Sequence, residues 1–187
     1  MTRRLRRPAI VAIPDPCLVV LVGAAGAGKT TFAGRHFERS QILSSDGFRA
    51  QISGDEADQR ATGAAFARLH RELTHRLGSR LLTVVDATNI ERAARAALLG
   101  RARAAGIPAV AIVLDLPAAV VLARNAARTG RKVDEAVVRR HLQRLRATLE
   151  AADAGLRAEG FSAVVLLRDP RDLEAISLVR EVQTQPT

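Results

Sequence analysis

The sequence predicts an α/β domain built on a five-stranded parallel sheet flanked by helices. Three observations carry that prediction. Short apolar runs alternate with longer amphipathic stretches, and a glycine-rich turn joins the first run to a helical pattern. The 187 residues, 48% of them apolar, suffice for one substantial core but not for two.

The apolar runs are Cys17 to Val22, Gln41 to Leu43, Leu81 to Val85, Ala109 to Leu114 and Ala163 to Leu167. Runs that are apolar throughout, rather than at alternate positions, suit strands covered on both faces. Helical periodicity fills the intervals at Arg60 to Leu77, Glu91 to Ala105, Ala118 to Ala127 and Asp134 to Arg157. Gly106 and Pro108 end one helix, Pro117 opens the next and Gly160 closes the long one. Asp169-Pro170 starts a last helix that runs to about Arg180. The expected organisation is a flexible basic arm over 1–11, one domain over 12–180 and a frayed tail over 181–187.

The formal net charge is +10. Clustered guanidinium groups attract polyanions and displace condensed counterions, so a nucleic-acid partner fits this charge. Lysine occurs only at Lys29 and Lys132, so a genome biased toward arginine explains the same excess. Aromatic content of 3%, with no Trp or Tyr, removes the stacking platforms of sequence-tolerant single-strand binders and points to grip on phosphate rather than base. The single Cys17 cannot form an internal disulfide and fits a reducing compartment. The basic Thr2 to Arg7 leads only into the short Ala9 to Ile13 before Pro14, Asp15 and Pro16, unlike a secretory signal. No apolar run nears the roughly 20 residues that span a bilayer, so a cytoplasmic protein without membrane attachment is expected.

The turn after the first run, Gly23-Ala-Ala-Gly-Ala-Gly28-Lys29-Thr30, matches G-x-x-x-x-G-K-[ST] between a strand and a helix, which is the context a P-loop requires. Glycines let successive backbone N–H groups converge on phosphate, and the following helix presents its positive end. Nucleotide contacts are expected from Gly23, Ala24, Ala25, Gly26, Ala27, Gly28, Lys29, Thr30 and Thr31, with ATP or another NTP as phosphate donor. Lys29 should reach the β- and γ-phosphates and Thr30 should ligate Mg²⁺. A P-loop NTPase fold with this content has the strand order 2-3-1-4-5.

Beyond the second run, Ser44-Ser45-Asp46-Gly47-Phe48-Arg49 sets a carboxylate just past a strand end, the edge at which open α/β sheets bind ligands. Asp46 is the candidate base that accepts an acceptor hydroxyl proton. Capping of a helix that starts at Gly47 is the alternative role, and the two are compatible. Arg49, one turn on, is placed to meet a phosphate on the acceptor, against plain surface charge. The third run ends at Asp86, where a Walker B carboxylate would face Mg²⁺ through water, or where Asp86, Thr88 and Asn89 form an ordinary turn. Asn89 is a further candidate on the substrate side.

Arg124, Arg128 and Arg131 follow Pro117 at i, i+4 and i+7 and share one face if the helix persists past Gly130. Such a stripe suits a lid that neutralises phosphate charge, and equally a solvated helix face. His36, His70, His75 and His141 have no metal-ligand spacing, and no Cys/His cluster suggests zinc.

On these residues, the chain closely resembles the kinase module of the bacterial polynucleotide kinase-phosphatase used in RNA repair, a relative of the phage-type polynucleotide kinases. The resemblance runs from about Ala12 to Val179. Its specific parts are Gly23 to Thr30, Ser44 to Arg49, Asp58-Gln59 with Thr62 to Phe66, Thr83 to Asn89, and Arg124 to Thr129. The resemblance implies that Asp46 is the general base on a ribose 5′-OH, that Arg49 clamps the neighbouring 3′-phosphate and that Gln59 belongs to the acceptor pocket. It also implies lid contacts to ATP from Arg124 and Arg128, with Arg131 as a third member. In that family phosphatase and ligase-like modules follow the kinase, so a free-standing enzyme or one module of a repair system is expected.

The resulting expectation is an ATP- and Mg²⁺-dependent kinase of RNA or DNA 5′-OH ends. Two other classes fit the same motifs: a P-loop kinase of a small-molecule alcohol such as a nucleoside, sugar or antibiotic, and a nucleotide-dependent binding module with little turnover.

Overall fold

Leu18–Val22 holds only Leu and Val, and every residue of it is buried. That composition suits the middle of a sheet, where both faces and both edges are covered. The computed structural model describes residues 9–55, 58–129, 132–150 and 154–182. Along the chain the strands are β1 (Ile10–Asp15), β2 (Leu18–Val22), β3 (Ile42–Ser44), β4 (Thr83–Asp86), β5 (Ala109–Leu114), β6 (Ala163–Leu167) and β7 (Ser177–Val182). The helices are α1 (Lys29–His36), α2 (Ser45–Ser53), α3 (Thr62–Gly78), α4 (Arg92–Ala104), α5 (Ala118–Ala126), α6 (Glu135–Glu150), α7 (Ala154–Glu159) and α8 (Pro170–Ala175).

The main sheet is parallel and runs β3-β4-β2-β5-β6, the expected 2-3-1-4-5 order of its five strands. Residues of β2 alternate between two cores, as the period of a strand demands. Leu18, Val20 and Val22 meet Leu69, Leu73 and Leu77 of α3 and Leu98 and Leu99 of α4. Val19 and Leu21 belong to the opposite core, with Phe32 and Ala33 of α1, Val121 of α5 and Leu173 of α8. A buried ion pair staples α4 to α7: Arg95 donates to both carboxylate oxygens of Glu159, at 2.7 and 2.6 Å, and to the carbonyl of Asn89 at 3.0 Å. No helix among the described residues is long and apolar enough to cross a membrane.

Three expectations about the periphery change. The last helix stops at Ala175 rather than near Arg180, because Ile176 turns extended and Ser177–Val182 pairs in parallel with Ile10–Asp15. Ile10 and Val11 therefore lie in a strand rather than in the arm, and Glu181 and Val182 in a strand rather than in the tail. The helix expected over 134–157 is described as α6 and α7, with 151–153 outside the described residues. The start of α8 agrees with the sequence: Asp169 accepts from the N–H of Arg171 at 2.8 Å, Asp172 accepts from the N–H of Asp169 at 3.0 Å, and Pro170 sits inside the first turn.

Cys17, immediately before β2, is fully buried, and burial first, then the charge of Asp15, pushes its thiol up to about 12 from 9.0. The folded thiol keeps its proton where the unfolded one loses it, so this residue's contribution to stability falls as pH rises through 9 toward 12. Iodoacetamide at pH 8.5 should modify the native chain roughly two to three orders of magnitude more slowly than the urea-unfolded chain. Peptide mapping of the alkylated cysteine against time checks this, and equal rates in both states would contradict it.

Candidate active site

The ends of the central strands converge on one cleft of about 530 Å³. Its floor is the loop that leaves β2. Gly26 and Gly28 take φ values of +85° and +97°, in the left-handed region that favours glycine. At Gly26 space is limiting as well, since a Cβ there would lie 2.7 Å from the carbonyl oxygen of Val121 and 3.1 Å from the Cβ of Asn125. The loop is thereby pressed against α5. Ala25, Gly26, Gly28, Lys29, Thr30 and Thr31 line the cleft, while Ala24 and Ala27 are fully buried behind it and Gly23 donates its N–H to the carbonyl of Thr88 at 3.0 Å.

Lys29 opens α1 and folds back across the loop, donating to the carbonyls of Gly23 at 3.0 Å and Ala24 at 2.9 Å. Burial pulls its ammonium down to about 8, against the opposing charge of Asp86, with Arg128 acting in the same sense as burial. A phosphate placed beside Lys29 favours its charged form and repays part of that desolvation. Thr30 donates its hydroxyl to Asp86 Oδ2 at 2.7 Å, joining the first turn of α1 to the end of β4. Asp86 is buried at the register position opposite Ser44, so the start of α2 lies beside it.

Ser44, not Asp46, caps α2: the Ser44 hydroxyl accepts from the N–H of Gly47 at 3.3 Å, and the helix begins at Ser45. That separates the two roles open to Asp46. Its carboxylate, with the side chain 35% exposed, lines the cleft and is ion-paired to Arg49, whose side chain is buried beneath it. Gln59 begins a short 3-10 turn, Gln59–Ala61, and its side chain lies outside the described residues.

Asn89 is elsewhere. It takes a positive φ of 49°, is buried, and donates from Nδ2 to the carbonyl of Leu21 at 2.8 Å. It ties the exit of β4 to β2 and is not among the residues that line the cleft: the strand end needs a left-handed residue with its own donor, and asparagine supplies both.

The arginine stripe is also reshaped. Helix α5 ends at Ala126, so Arg124 lies on the helix and Arg128 in the turn that follows, yet both line the cleft; Arg131 lies outside the described residues. Arg124 donates to the carbonyl of Ala27 at 3.4 Å, directly over the loop. Buried Asn125, which spacing did not single out, donates to the carbonyl of Val133 at 2.7 Å and accepts from its N–H at 3.2 Å. This two-way clamp brings α6 back to the cleft, where Val133, Val137 and His141 join the wall with Thr62 and Phe66 of α3. Thr62 and Phe66 bound a stretch that the family resemblance marks without giving it a role, whereas Val133, Val137 and His141 carry no motif spacing that would have singled them out.

Gly26→Ala should destabilise the fold by about 1–3 kcal/mol through an unfavourable φ and a clash with Val121. Urea denaturation measures the loss, and binding of a fluorescent ATP analogue should fall with it. Unchanged stability would mean that the loop is not held against α5.

Residues 18–152 match a family model, AAA_33, described as an AAA domain. A search of the curated proteins finds no sequence match. Among solved structures, the chain is similar to one in the Pnkp1/Rnl/Hen1 RNA repair complex, with 23% identity over 75% of this chain and a TM-score of 0.64. It spans 47% of that chain, less than half its length. It is also similar to a gluconokinase from Sinorhizobium meliloti 1021, at 19% identity and TM-score 0.51 over 87% of both chains. A sugar kinase from Janibacter sp. HTCC2649 matches at 24% identity and TM-score 0.51, over 82% of this chain and 85% of that one. At these identities the structural likenesses establish a shared P-loop kinase-like fold, and the family match over most of the sequence establishes membership: the chain belongs to the AAA domain family AAA_33.

Proposed function

We propose that the chain is an ATP-dependent polynucleotide 5′-hydroxyl kinase that works in nucleic-acid repair. One observation carries the reading: Asp46, with Arg49 beneath it, opens into the same cleft as Lys29, Thr30 and Asp86. A carboxylate across from a phosphate-binding loop is what transfer to an alcohol requires. The motif set that resembles polynucleotide kinases, the basic balance, and the fold shared with a chain of an RNA repair complex support a polynucleotide end as that alcohol. Phosphatase and ligase activities of a repair system are the partners that this reading implies.

In the proposed reaction the loop amides, Lys29 and the arginines 124 and 128 hold the triphosphate in line with the acceptor. Asp46 takes the 5′-OH proton, the hydroxyl oxygen bonds to the γ-phosphorus, and the bond to the β-phosphate oxygen breaks to release ADP. Arg49 orients Asp46 and offers positive charge to the adjacent 3′-phosphate. The hydroxyl of Thr30 and the carboxylate of Asp86 are the hard oxygen donors that Mg²⁺ takes beside nucleotide phosphates, so these two residues would hold that ion. Bound there, Mg²⁺ supplies charge neutralisation on the phosphates.

A second reading, a kinase of a small-molecule alcohol, is favoured by length: the gluconokinase and the sugar kinase align over most of both chains. Incubation with γ-labelled ATP and Mg²⁺, offering HO-ended RNA, HO-ended DNA, nucleosides and sugars in parallel, separates the two. Label on oligonucleotide ends is expected, and label on small molecules alone selects the second reading. Asp46→Asn should lower transfer by roughly 10²–10⁴-fold while ATP binding persists. Wild-type activity in that variant would remove Asp46 from the base role.

A further inference from the structure

Among the described residues, five buried side-chain polar atoms have no hydrogen-bond partner. Two of them belong to residues on the wall of the cleft: Thr62 Oγ1 and His141 Nδ1. Buried polar atoms in folded proteins are paired with few exceptions, so orphans at a ligand cleft mark places where a ligand completes the bonding. The two atoms come from different elements, Thr62 from the first turn of α3 and His141 from the middle of α6. Both atoms are enclosed as they stand. Their residues line the cleft, so a polar contact with a bound molecule requires the threonine χ1 or the imidazole to move between ordinary rotamers on binding.

Their chemistry differs from that of the rest of the wall. Lys29, Arg49, Arg124 and Arg128 supply fixed positive charge suited to phosphates. Thr62 carries a neutral hydroxyl. Burial lowers the affinity of His141 for a proton, the charges of Lys29, Arg144 and Arg140 act in the same sense, and Glu91 opposes them. A neutral imidazole and a hydroxyl each combine donor and acceptor capacity. That suits a group that also donates and accepts, such as a sugar hydroxyl, whereas a phosphate oxygen would use only their donor capacity.

We propose that Thr62 and His141 are specificity-determining residues that hydrogen-bond the 2′-hydroxyl of the acceptor's terminal ribose. The inference rests on the phosphotransferase reading of the cleft, and it holds for a polynucleotide end or a free nucleoside alike.

Steady-state transfer from labelled ATP by the full chain tests it. The acceptors are a 5′-OH RNA oligomer, the same oligomer with a 2′-deoxy terminal nucleotide, and the same oligomer with an abasic terminal ribose. Thr62→Val and His141→Phe should each raise the acceptor KM for RNA roughly five- to tenfold, the loss of one net hydrogen bond, with kcat and the ATP KM unchanged. The penalty should persist on the abasic ribose and shrink on the deoxy terminus. Thr62→Ser and His141→Asn, which keep a hydrogen-bonding atom near the same place, should restore the wild-type KM. Acceptor KM values within about twofold of wild type in both removal variants would overturn the inference, judged against the roughly tenfold effect expected of a lost bond. So would an equal penalty on ribose and deoxyribose termini, or a penalty that vanishes on the abasic acceptor and so belongs to the base. If only free nucleosides are labelled, the same KM comparison is made on a ribonucleoside and its 2′-deoxy form; if the wild-type chain labels neither the oligomers nor nucleosides, the phosphotransferase reading fails first and the inference falls with it.

Discussion

The placement of β2 between two parallel neighbours is the constraint from which the rest follows. Its five residues are all buried, all five pair with β5 and the first three also pair with β4, so its end is fixed in space to within the tolerance of a packed core. The chain must leave it at Gly23, next to the ends of β4 and β5, and must begin α1 within a few residues. Small residues and left-handed glycines are what that turn permits, and Gly26 against Val121 leaves no room for a side chain. A loop built this way presents backbone N–H groups rather than side chains, which suits it to phosphate and leaves it little information about the acceptor.

Chemistry is added to that loop from neighbouring strand ends. Asp86 meets Thr30 because β4 pairs with β2, and Asp46 reaches the same cleft because Ser44 is in register with Asp86 and Ser44 caps the helix behind it. The far wall depends on a different device, the clamp between Asn125 and Val133 that returns the chain to α6 after the arginines. Positive charge is therefore concentrated over the loop by α5 and the turn after it. Uncharged polar groups sit on α3 and α6. Arg95 and Glu159 matter to the site only indirectly, by fixing α4 against α7 and holding the carbonyl of Asn89 at the exit of β4.

What could be read from sequence was whatever is local. The strand order, the loop and the ligand-edge positions of Asp46 and Asp86 are encoded by short-range patterns, and the structure places those residues in one cleft. What could not be read depends on partners far along the chain. The pairing of β1 with β7 joins the two ends of the domain, and Ser177–Val182 alone resembles a continuation of the helix that Asp169-Pro170 starts. Arg95 looks like any other arginine in an arginine-rich chain, because its partner is 64 positions away. Asn89 was legible as a strand-end residue but not as a left-handed pin, since φ is not visible in the letters. Thr62 and His141 share no spacing at all, and only the closure of α6 over the cleft makes them neighbours of the same space.

The proposed transfer is a single in-line displacement, in which the residues of one cleft hold donor and acceptor together and no side chain is phosphorylated on the way. Stereochemistry at phosphorus distinguishes this from a two-step route. Transfer of a chiral γ-thiophosphate, isotopically labelled at its oxygens, to an acceptor hydroxyl should proceed with inversion of configuration at phosphorus. Retention would require two successive displacements through a phosphorylated side chain, and would contradict the role of Asp46 as a base.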